Sequence, residues 1–152
     1  MTNYHRLVLS ACITFGLMLG IGSSALGQVD AELLRKAKAG DAVAQVILGV
    51  MYDDGDGVPE NDAEAVKWYR KAADQGVPEA QFLLGGMYDD GEGVPENYVL
   101  AHMWLNLARA QGLANAKTAL DLLIPKMTNA QIAEAQRMAA EWHEKHSSST
   151  AD

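Results

Sequence analysis

The chain has 152 residues, 49% hydrophobic and 21% charged, a length that supports one compact domain and a composition unlike that of polar, highly charged disordered chains. Twelve Lys and Arg against twenty Asp and Glu leave a formal charge of −8, so the basic field that recruits nucleic acid or anionic lipid is missing.

Residues 1–27 differ from everything after them. Arg6 is their only formal charge, residues 7–21 form an apolar run, and Ala25 and Gly27 place small residues where signal peptidase inspects them. This reads as a secretory signal peptide cleaved after Gly27, which makes Gln28 the first residue of a periplasmic or secreted protein with no stable membrane insertion. An uncleaved anchor is the competing reading, since twenty such residues just span a bilayer; the glycines and the A-x-G ending favour cleavage. Cys12, the sole cysteine, follows Leu9, Ser10 and Ala11 as in a lipobox, but the apolar run continues beyond it, so it reads as part of that run. The chain after the leader has no cysteine and no disulfide.

The remainder is periodic. Sliding the sequence by 36 places residues 42–77 over residues 78–113 with 19 of 36 pairs identical, among them Ala44/Ala80, Leu48/Leu84, Gly49/Gly85, Tyr52/Tyr88, Trp68/Trp104 and Gly76/Gly112. Residues 30–41 echo the second half of such a unit, and residues 114–124 echo the first half of another. Each unit predicts two helices. In the first, Ala44, Leu48 and Met51 recur at helical spacing until Gly55, Gly57 and Pro59 break the run. In the second, Ala65, Trp68, Tyr69 and Ala72 form one apolar stripe, Asn61 with Glu64 offers a capping pair, Gly76 closes the helix and Pro78 opens the next.

The C-terminal third reads as the end of the array. Leu100, Met103 and Leu107 replace Glu64, Lys67 and Lys71, so the second helix of the second unit is apolar nearly all round and has to be covered on both sides. Residues 114–124 predict one cover, stopped by Pro125. Thr128 with Gln131 then opens a capping helix over 129–143 that carries Ile132, Ala135, Ala139 and Trp142 on one stripe, followed by a polar tail over 147–152.

A 36-residue unit reading A-x-x-x-L-G-x-x-Y, then G-x-G-V, then A-x-x-W-Y-x-K-A-A-x-x-G closely resembles the Sel1-like repeat, a relative of the tetratricopeptide repeat, and the resemblance covers about residues 30–124. It implies an all-α fold: a short α-solenoid of helix-turn-helix repeats with capping helices, wound as a right-handed superhelix around a concave groove. Some exported members staple each helix pair with a disulfide; this chain has none of those cysteines, so their enzyme-like traits do not carry over.

Candidate chemistry is sparse. Asp53, Asp54, Gly55, Asp56, Gly57 looks like a calcium loop, yet the alternate positions from Asp53 are glycines; Asp89, Asp90, Gly91, Glu92, Gly93 fails likewise. His143 and His146 stand three apart, where a zincin helix needs four. No serine precedes Ser147 in the mature chain, and His102 has no carboxylate at helical spacing, so it reads as a structural histidine. Trp68, Trp104 and Trp142 sit on packing stripes. No cofactor, metal or catalysis is expected. Binding is better supported: Val46, Val50, Asp53 and Asp54 on one first helix, and Phe82, Gly86, Asp89 and Asp90 on the next, lie off the packing stripe, on the face that lines the groove in the tetratricopeptide fold. An apolar floor with an acidic rim suits an extended or helical peptide, or a protein segment, with basic flanks. The bland reading of Val46 and Phe82 is contact between neighbouring helix pairs. The expected function is thus a non-catalytic interaction module; the alternative is a cell-envelope, peptidoglycan-related hydrolase or binding factor.

Overall fold

The computed structural model describes residues 29–148; the expected leader over 1–27 lies outside them. Among the described residues the chain is all α-helix, with no strand: α1 (Ala31–Lys38), α2 (Ala42–Asp54), α3 (Asp62–Asp74), α4 (Pro78–Asp90), α5 (Tyr98–Ala110), α6 (Ala114–Leu123), a single 3₁₀ turn (Ile124–Lys126) and α7 (Asn129–Ser148). The last helix thus runs five residues past the expected end at His143 and takes in the start of the expected tail.

Local chemistry sets the boundaries. Asp41, Asn61 and Asn97 each accept from the backbone N–H three residues on, at 2.9, 3.1 and 3.1 Å, and so cap α2, α3 and α5. The Asn61/Glu64 pair is half a capping box, because the Glu64 carboxylate pairs with Lys67 and the Asn61 N–H donates to the Tyr52 carbonyl at 2.7 Å. Thr128 and Gln131 form the full reciprocal box at the start of α7, with bonds of 3.2 and 2.8 Å. Gly55 and Gly91 end α2 and α4 in the left-handed region. Gly93 combines a φ of +67° with a seat on the first turn of α3, where a Cβ would stand 2.4 Å from the Asp62 carbonyl carbon, so the turn of the second unit rests directly on the first.

Within each unit the two helices cross at a glycine. Tyr69 lies against Gly49 and Leu105 against Gly85, so closely that an added Cβ would come within 2.3 Å of the ring and 2.8 Å of Leu105 Cγ. Between units α1 packs on α2, α3 on α4 and α5 on α6, as a stacked array requires. A glutamine relay crosses the same junctions. Gln45 Nε2 donates to the Ala37 carbonyl at the end of α1 at 3.0 Å, and its Oε1 accepts from Gln75 at 2.7 Å. One repeat later Gln81 donates to the Ala73 carbonyl at 3.2 Å and accepts from Gln111 at 2.8 Å. Each relay gives a second donor to a C-terminal helix carbonyl that also accepts from the backbone N–H of the closing glycine, Gly40 at 3.2 Å and Gly76 at 2.9 Å.

The core is a main cluster from α3 to α7 with a smaller one under α1, where Trp68 meets Ala37, Ala44 and Leu48. Leu100, Met103 and Leu107 mark the helix that is covered twice, since α5 packs on both α6 and α7. Trp104 meets Trp142 of α7 edge to face, with ring centres 6.2 Å apart and planes at 70°. The sequence left open how α7 would lie. It packs on α5 and makes almost no contact with α6, so α6 is a first helix without a second. The reason lies in α6 itself. Lys117 and Asp121 occupy the positions of Gln45/Gln81 and Gly49/Gly85 and pair with each other at 2.7 Å in solvent, which replaces the glycine seat by charge.

Candidate partner-binding surface

The eight residues singled out from the sequence fall on α2 and α4, the consecutive first helices of the two units. The units match closely in their packing positions and turns but differ on this face. Val43, Val46, Ile47 and Val50 of α2 become Glu79, Phe82, Leu83 and Gly86 of α4. Val46 and Val50 are half-buried against the main core. Phe82 is 6% exposed and belongs to that core, so it supports the surface from beneath. Gly86 is different from Gly85 beside it: a Cβ at Gly86 would meet nothing within 4 Å, which leaves an open step in the middle of the face.

The four acids are held unequally. Asp53 accepts from the Tyr69 hydroxyl at 3.2 Å. Its counterpart Asp89 has Leu105 where the first unit has Tyr69, and its buried carboxylate is paired instead with Lys126 at 2.7 Å, across 37 positions of sequence. Lys126 also lies 5.4 Å from the Tyr98 ring centre. Asp54 and Asp90 are exposed. The acidic rim therefore rests on Asp54, Asp90 and the half-buried Asp53, with Asp89 neutralised below it. Nothing in the sequence around Lys126 pointed to this pairing, because it depends on the 3₁₀ turn bringing Lys126 back to α4.

His102 is buried at the position that Val66 fills in the first unit. Burial, reinforced by the charge of Arg109, lowers its pKa below the ordinary histidine value. Its Nδ1 has no hydrogen-bond partner among the described residues. His146 stacks on Trp142 at 3.9 Å, with its Nδ1 2.7 Å from the Trp142 carbonyl oxygen. Among the described residues no group of His, Cys, Asp and Glu stands close enough together to hold a metal ion, and no helix is long and apolar enough to cross a membrane. A shallow cleft of about 520 Å³ runs along the outer face of α3, where Lys71 Nζ stands 4.1 Å above the Trp68 ring.

Comparison with known proteins accords with this architecture. The Sel1 repeat family matches twice, over residues 42–77 and 78–113, the same two units that the internal period defines. A protective antigen of uropathogenic Escherichia coli strains, described as displaying an SLR fold, superposes with a TM-score of 0.71 at 32% identity, covering 75% of this chain and 25% of the antigen. A Sel1 repeat protein from Oxalobacter formigenes superposes with a TM-score of 0.56, also at 32% identity, over 73% of this chain and 53% of its own. This chain thus spans only a quarter to a half of the length of these structures. No curated protein matches it. Sel1 repeats are protein–protein interaction modules and the fold is typically a non-catalytic scaffold. With two family matches in register with its own period and with the same fold as solved repeat proteins, the chain belongs to the Sel1 repeat family.

Proposed function

We propose that the protein is an exported, non-catalytic interaction module that binds an extended or helical segment of a partner protein along α2 and α4, between Val46 and Val50 on one side and the step at Gly86 on the other. The observation that carries the reading is Gly86. A glycine inside a helix costs about 1 kcal/mol relative to alanine, and here no packing constraint explains it, since nothing stands within 4 Å of where its Cβ would be. An open step on an otherwise filled face is what a partner side chain would occupy. Asp53, Asp54 and Asp90 border it with negative charge and favour a partner segment with basic flanks. Residues 1–27 act as a cleaved leader, which places the module in the periplasm or outside the cell.

A photo-crosslinking residue at position 86, introduced in cells making the full chain, tests the surface. Capture of a discrete protein through position 86, and not through an exposed control such as Glu134, supports it. Equal labelling from both positions, or none from position 86, overturns it. Affinity for the captured partner should fall as salt rises, because exposed charges are screened over about 8 Å at physiological ionic strength.

A further inference from the structure

The two ends of the array are finished differently. At the C-terminal end Lys117 and Asp121 fill the seat that would receive another helix, and they pair with each other in solvent. The N-terminal end has no such device among the described residues. There α1 has the place of a second helix, with Leu33 at the position of Tyr69 and Leu105, the residues that lie on the glycine of their own first helix. No described first helix precedes α1, and Leu33 and Leu34 are left half-exposed. On α2, Ile47 stands where α4 has Leu83 and α6 has Ala119. Those two are 8% and 3% exposed, whereas Ile47 is 44% exposed and Val43, one turn earlier, 65%. The position that is covered in later repeats is therefore open at Ile47, and Val43 is apolar where its exposed counterparts are the polar Glu79 and Asn115. Terminal repeats normally present a polar outer face, and an apolar one marks a surface with a partner.

We infer that this N-terminal end is a self-association surface, on which the α1–α2 hairpin of a second copy of the chain packs antiparallel about a two-fold axis. The hairpin is charged unequally along its length. Arg35, Lys36 and Lys38 lie in the last turn of α1, where Asp41 is the neighbouring acid, while Asp30 and Glu32 at the start of α1, the latter paired along the helix with Arg35 and Lys36, and Asp56 beyond the end of α2 mark the opposite, acidic end. Antiparallel packing sets each basic end over the acidic end of the other copy; parallel packing would stack like charges. Stacking head to tail is barred, since the charged seat on α6 offers Leu33 no glycine to lie on. The leader does not supply one either, for Ile13 stands 36 residues before Gly49. The contact is closed and isologous, so it yields dimers and not filaments. It shares α2 with the surface around Gly86 and adjoins it, but rests on the exposure of Val43 and Ile47 and not on Gly86.

Sedimentation velocity over a range of concentrations, on protein exported from cells that make the full chain, tests this. A monomer–dimer equilibrium is expected. Ile47→Glu should raise the dissociation constant about tenfold or more by placing charge in the contact, whereas Leu122→Glu, at a comparably exposed apolar residue of the other end, should leave it unchanged. Both positions are exposed, and helical circular dichroism equal to that of the parent verifies folding. Lys38→Glu should weaken the dimer, and adding Asp56→Lys should restore it. A protein that stays monomeric at its highest soluble concentration overturns the inference. So does open-ended growth, a dimer indifferent to Ile47→Glu, or one broken by Leu122→Glu instead.

Discussion

Adjacent glycines show how a residue's meaning depends on what stands above it. Gly85 and Gly86 share one helix, yet Gly85 is covered by Leu105 and Gly86 by nothing. Gly86→Ala should therefore raise stability by up to about 1 kcal/mol through helix propensity. Gly85→Ala and Gly49→Ala force a methyl group into Leu105 and Tyr69 and should each cost about 1 to 3 kcal/mol. Denaturant midpoints moving in opposite directions for neighbouring Gly→Ala changes would verify both environments. His102 gives a second test at this scale. Burial holds its pKa below 6.5, so as the pH falls the unfolded chain binds a proton that the folded chain refuses. The stability linked to this group is complete above about pH 6.5 and is lost as pH drops through the lower folded value. His102→Val, which installs the residue of the first unit, should flatten the fall in thermal midpoint between about pH 7.5 and pH 5. Asp74, whose carboxyl is raised by burial, acts in the opposite sense at lower pH and is common to both proteins. Equal slopes for parent and variant would show that His102 takes up its proton as readily in the folded chain as in the unfolded one.

At the scale of elements, the decisive feature is that α5 is apolar on two sides. Met103, Trp104 and Leu107 are all buried, and α7 is what packs on α5 besides α4 and α6. Trp104→Ala should cost about 3 to 5 kcal/mol, within the range for removing a buried aromatic from a core. A thermal midpoint unchanged by that substitution would contradict the packing of Trp104 on Trp142. Removing residues 127–152 exposes the same face, and the truncated chain should lose cooperative melting or aggregate, as arrays do without a terminal cap. The replacement of Glu64, Lys67 and Lys71 by Leu100, Met103 and Leu107 made this cover legible in the sequence, because a helix apolar all round has to be buried. That the cover leaves α6 unpaired was not legible. It follows from one charged pair, Lys117 and Asp121, whose meaning appears only once the glycine crossings of the earlier units are seen.

At the scale of the molecule, the described residues form a short array in which α7 covers α5 at the C-terminal side, the first helix pair leaves Val43 and Ile47 exposed, and one face differs between the two units. If the leader is removed as proposed, N-terminal sequencing of the soluble protein should begin at Gln28. Recovery of residue 1 intact in the membrane fraction would show a retained anchor. The face on α2 and α4 and the end on α1 and α2 adjoin each other, so partner binding and self-association are separable by variants: Gly86 substitutions should affect the first and Ile47 substitutions the second.

The sequence by itself determined the period, the two helices of each unit, their stripes and their stops. All of these are local, repeated over 36 residues and encoded in spacings that a single helix pair satisfies. It also singled out the face of α2 and α4 that lies off the packing stripe. Only the tertiary structure decided what covers what. Phe82 became support because neighbouring helices close over it, Asp89 was neutralised by a lysine 37 residues away, and the identical glutamines Gln45/Gln81 and Gln75/Gln111 acquired a reason in the second donor they bring to helix-end carbonyls. Such pairings depend on which surfaces remain unsatisfied after the helices have stacked, a property of the assembled array that no single repeat contains.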